Sequence, residues 1–149
     1  MILRKSTDVA APHRPMPLPM GNNTNILLIA GSVERALVVQ GELQHMGYRV
    51  YLSTDGLLGW RRAYSHTPQL ILLDRELPTI SGPEVLARLK SERATAHIPV
   101  VMLGAKDRND HAQRSSDPRA DAYLAGDHTF EQLCAVVRQV LSAEQMKAA

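Results

Sequence analysis

The sequence predicts one α/β domain: a doubly wound, five-stranded parallel sheet in the order 2-1-3-4-5. Three observations carry that prediction. Five short apolar runs alternate with amphipathic stretches of helical period. Several of the runs are apolar at every position, as in strands buried on both faces. The chain is 149 residues long, 44% apolar and 21% charged, which suits a single core.

The first strand is Ile26-Leu27-Leu28-Ile29-Ala30. Gly31-Ser32 opens the first helix, with Ser32 as cap, Glu34 in the first turn, and Ala36, Val39, Leu43 and Met46 on one face before Gly47 stops it. Strand two is Arg49 to Leu52. Asp55 starts a second helix through Leu57, Leu58, Trp60 and Ala63, which ends before Pro68. Strand three, Leu70 to Leu73, closes on Asp74. Ser81-Gly82-Pro83-Glu84 is a capping box with proline in the first turn, leading a third helix that buries Val85, Leu86 and Leu89. Strand four is Pro99 to Leu103 and strand five Ala120 to Ala125. Thr129 and Gln132 form a second capping box; Phe130, Leu133, Val136, Val137, Val140 and Leu141 trace the stripe of the last helix. Between strands four and five, residues 106–118 hold one apolar residue, Ala112, so the fourth of five expected helices is short or missing.

Outside this body, residues 1–23 read as a disordered leader, with Pro12, Pro15, Pro17 and Pro19 and no periodicity. The domain spans residues 24–144, and residues 145–149 are a C-terminal tail, too short for an output domain. The 17 Lys and Arg exceed the 15 Asp and Glu only because the leader sets Arg4, Lys5 and Arg14 against Asp8. A neutral body offers no footprint for nucleic acid. No apolar run spans a membrane, and no secretory signal is present, so a cytoplasmic address follows. The single Cys134 excludes an internal disulfide, and the six dispersed histidines argue against a zinc site.

In open parallel sheets, function gathers at the carboxyl ends of the strands. Here those ends are Ala30-Gly31-Ser32, Asp74-Arg75-Glu76, Gly104-Ala105-Lys106 and Ala125-Gly126-Asp127. A carboxylate directly after an apolar strand is costly without a partner, which singles out Asp74. Gly31-Ser32 at a helix start leaves free amides and a hydroxyl. That setting suits either a small anion or Asp74 itself as acceptor.

The run Leu70 to Pro78, followed by Ser81-Gly82 and the helix with Leu86 and Leu89, resembles the phosphoacceptor strand and loop of receiver domains of two-component response regulators. The likeness extends over residues 24–143, including Ile98 to Leu103 and Ala120 to Leu124. It implies a flavodoxin-like, CheY-like fold with Asp74 at the phosphoacceptor position. It also implies an acidic pair after strand one to hold magnesium, a Thr or Ser after strand four and a Lys after strand five. The chain instead has Ala30 and Gly31, then Gly104, then Gly126 followed by Asp127 where the family usually has proline. Tyr123 matches the aromatic that swings inward in switching receivers, or fills the space as core.

The expectation from these departures is a stand-alone pseudo-receiver in bacterial signal transduction. It needs no cofactor, has no catalytic residue, and acts independently of phosphorylation through a protein partner, a signalling protein, a histidine kinase or a second copy. The alternative is an Asp74-phosphorylated single-domain regulator, with weak magnesium binding at Asp74 and Glu76 and Lys106 as a substitute cation. A flavodoxin-type cofactor carrier lacks its Ser/Thr-rich phosphate cradle, and no GxGxxG fingerprint is present.

Overall fold

The computed structural model describes residues 24–105 and 119–148. The leader at 1–23 and the segment at 106–118, where a short or missing helix is expected, lie outside the described residues. Strands β1 (Asn25–Ile29), β2 (Arg49–Ser53), β3 (Leu70–Asp74), β4 (Val100–Ala105) and β5 (Ala122–Ala125) form one sheet in the order β2-β1-β3-β4-β5. Every pairing is parallel, as the sequence predicts. The described helices are α1 (Val33–His45), α2 (Gly56–His66), α3 (Gly82–Ser91) and α4 (Phe130–Ala148).

Alternation along the strands divides the core into two halves. Ile26, Leu28, Leu70, Leu72, Val101, Leu103 and Leu124 face α1 and α4, where Ala36, Val39, Leu43, Leu133 and Val137 close over them. Leu27, Ile29, Ile71, Leu73, Val100 and Met102 face α2 and α3, against Ala63, Val85, Leu86 and Leu89. Because successive side chains point to opposite faces, Asp74, two residues beyond Leu72, falls on the α1–α4 side.

The caps act where the sequence puts them. Ser32 Oγ accepts the Arg35 N–H at 3.3 Å, and Asp55 Oδ1 accepts those of Leu57 and Leu58 at 2.7 and 3.2 Å. The capping box of α3 is closed both ways, with Ser81 Oγ accepting from Glu84 and Glu84 Oε1 accepting from the Ser81 amide. Thr129 and Gln132 repeat it ahead of α4. Thr79 Oγ1 donates to Asp55 Oδ2 at 3.0 Å, so the loop after β3 is tied to the start of α2.

Helix α2 buries Gly56, Gly59 and Ala63 and leaves Leu58 44% exposed. The helix lies so close to β1 that a side-chain carbon on Gly59 would come within 2.6 Å of Ile29, and only small residues permit that approach. The last helix runs on as far as Ala148, since nothing after Leu141 breaks a helix and Ala143, Glu144, Gln145 and Met146 favour one.

Leu72 is fully buried on the middle strand. Leu72→Ala is expected to destabilise the domain by about 2–5 kcal/mol in denaturant unfolding, through lost transfer energy and the cavity left behind.

Candidate functional site

The site is built around the last residue of β3. Asp74 is 4% exposed. Its Oδ2 accepts the Gly31 N–H at 3.1 Å, and its Oδ1 lies 4.0 Å from Arg35 Nη1. Gly31 belongs to the turn between β1 and α1, and Arg35 to the first turn of α1, so the Ser32 cap fixes where both sit. Leu28, Ala30, Leu103, Gly126 and His128 complete the walls of the cleft. Its free volume is about 10 Å³, roughly room for one water molecule.

Burial pushes the Asp74 carboxyl above the usual carboxylate range; the Gly31 amide and the Arg35 guanidinium pull it back without overcoming burial, and Glu76 adds a smaller push upward. The folded protein therefore holds this proton more tightly than the unfolded chain. Ionising Asp74 opposes folding, and that penalty sets in as pH rises above the unfolded value of about 3.9.

Glycines shape the rest. Gly104 sits in the β4–β5 bulge with φ +93°, a conformation that side chains rarely adopt. A side-chain carbon there would stand 3.0 Å from Asp74 Oδ1. One on Gly31 would collide with the Glu76 carbonyl oxygen. With this backbone, neither position accepts a larger residue without movement.

The structure brings Ala30, Gly31, Gly104 and Gly126 around Asp74 and leaves other singled-out residues aside. Ser32 uses its hydroxyl as the α1 cap. Glu76 is exposed, and it is the Glu76 backbone that meets Gly31. Tyr123 is half-buried and packs with the α2–α3 half of the core, on the opposite face of the sheet from Asp74. Lys106 lies outside the described residues. Of the two arrangements expected for Gly31-Ser32, the one found has the Gly31 amide bonded to Asp74.

Arg35 was not singled out by the sequence. An arginine on an amphipathic helix reads as a solvated charge, and Asp74 lies 39 residues away. The available signal was weak: small residues at 30 and 126 leave a path from α1 to the carboxylate.

Residues 26–138 match the response regulator receiver domain family, and the chain belongs to it. Among similar proteins are the response regulators ArlR of Staphylococcus haemolyticus and of Staphylococcus aureus, 32% and 31% identical over 124 residues. Each alignment covers 83% of this chain and 55% of the relative, so the chain spans about half the length of these curated relatives. Among solved structures, the receiver domain of a signal transduction histidine kinase from Syntrophus aciditrophicus has a TM-score of 0.73 and 26% identity, covering 80% of this chain and 91% of that one. The receiver domain of a sensor histidine kinase from Pseudomonas aeruginosa, solved with magnesium coordinated in its active site cleft, has a TM-score of 0.73 and 23% identity, covering 80% and 98%. The family's CheY-like fold is thus the fold of this chain.

The donor set does not fit the magnesium ion that the family resemblance implies. Among the described residues no three His, Cys, Asp or Glu side chains cluster as metal ligands. The one carboxylate in the cleft has an amide N–H on Oδ2 and a guanidinium facing Oδ1, where a hard cation would need free oxygens. Among the described residues no helix is long and apolar enough to cross a membrane.

Asp74→Asn keeps an acceptor for the Gly31 amide and removes the charge. It is expected to raise the melting temperature at pH 7, with the gain shrinking as the pH approaches about 4. A lower melting temperature at pH 7 would mean that Gly31 and Arg35 outweigh burial.

Proposed function

We propose that this chain is a pseudo-receiver: a receiver domain that signals through contacts with other proteins and does not depend on phosphorylation of Asp74. The observation that carries the reading is the Gly31 N–H on Asp74 Oδ2, at a position where a magnesium-binding receiver needs a carboxylate. Phosphoryl transfer to a carboxylate must neutralise charge on the transferred oxygens with a metal and fixed donors. Ala30 and Gly31 offer no metal ligand, Gly104 no hydroxyl, and Gly126 no cation. The face proposed for the partner, a signalling protein, a histidine kinase or a second copy, is the one that β5 and α4 form. Bacterial two-component signalling in the cytoplasm is the setting this reading supplies.

The competing reading is a working acceptor. It is favoured by Asp74 at the end of β3 with the Arg35 cation nearby, and by the magnesium-bound relative from Pseudomonas aeruginosa. Intact mass after incubation with acetyl phosphate and magnesium separates the two, alongside amide NMR with beryllofluoride and Asp74→Asn as control. The pseudo-receiver shows no Asp74-dependent mass gain and no shifts around Asp74 and Gly104. A mass gain lost in Asp74→Asn, with shifts reaching Tyr123, would establish the phosphorylated switch instead.

A further inference from the structure

A cation in the first turn of a helix is opposed by the positive end of the helix dipole, so the place of Arg35 needs another cause. The cleft supplies one. Arg35 Nη1 is 4.0 Å from Asp74 Oδ1, while Asp74 Oδ2 is held by Gly31. The same nitrogen lies 3.9 Å from where a side-chain carbon on Gly126 would stand, so the guanidinium reaches from α1 to the loop after β5. Ala30 and Gly126 leave that path clear; any long side chain at 126 would compete for it.

We propose that Arg35 is the positioning cation of the cleft: it clasps α1 to the β5–α4 loop across Asp74, so that the charge on Asp74 governs how firmly the two are joined. With Asp74 ionised, the guanidinium is drawn in over Gly126. With Asp74 neutral, the Gly31 bond remains and Arg35, about half exposed, swings to solvent. The clasp thus carries a change at a buried carboxylate to two surface segments on either side of the cleft. It rests on the pocket of the pseudo-receiver reading, but its test reads Arg35 and Gly126 and no phosphoryl transfer, so the two claims fail separately.

Among the described residues, the charged and titratable groups around Asp74 are Arg35 from α1, Glu76 from the β3–α3 loop and His128 from the β5–α4 loop, whose Nδ1 sits 2.9 Å from the Ala125 carbonyl oxygen. The test follows the Asp74 carboxyl carbon and the Gly31 and Gly126 amides by NMR as pH is varied, in the native chain, Arg35→Gln and Arg35→Lys. The His128 ring carbons are recorded alongside to keep its titration distinct. Opposite charges at this range move a carboxyl by about a unit or more when buried, and exposure weakens that. In Arg35→Gln the Asp74 midpoint should therefore rise by about half a unit or more, with Arg35→Lys recovering most of the difference. The Gly126 amide should follow the Asp74 titration in the native chain and lose that response in Arg35→Gln, while Gly31 keeps its own. An unchanged Asp74 midpoint in Arg35→Gln, no recovery with lysine, or a Gly126 response that survives without the guanidinium would overturn the proposal.

Discussion

The constraint on which the structure depends is that β1, β3 and β4 are covered on both faces. Each successive residue must be apolar and must serve opposite halves of the core, so the register of the whole sheet is fixed: a slip by one would exchange every side chain between helix layers. That register fixes where the carboxylate goes. Leu70 and Leu72 face α1 and α4, and Asp74 follows them to the same side, at the point where cover from the helices gives way to a narrow cleft. A carboxylate there is mostly removed from water, and the groups around it must come from the ends of neighbouring elements.

Those groups are backbone and small residues more than side chains. Gly31 can press its amide onto Asp74 because a Cβ at that position would meet the Glu76 carbonyl; Gly104 can turn at φ +93° because it has none. The fold around them is that of a receiver domain. The charge that faces Asp74 comes from Arg35 on the helix after β1, whose guanidinium lies beside Gly126.

The fold was legible because its causes are local. Unbroken apolar runs marked the buried strands, and Ser32, Asp55, Ser81 with Glu84, and Thr129 with Gln132 marked helix starts by the bonds they make in the structure. Asp74 and the small residues around it were legible from their places at strand ends. The contact of Gly59 with Ile29 was not, because periodicity weighs apolarity while that contact is set by size. Arg35 was not legible either: its partner is distant in sequence, and its own signal is that of any surface arginine.

The central claim is that the protein's own amide and guanidinium, not a metal, attend the Asp74 carboxylate. A crystal structure grown with magnesium and beryllofluoride tests it most directly. The account predicts the Gly31 N–H still within hydrogen-bonding distance of Asp74, Arg35 still over Gly126, and no metal density beside either oxygen. Magnesium ligated by Asp74, with the Gly31 amide turned away and Arg35 displaced, would contradict it.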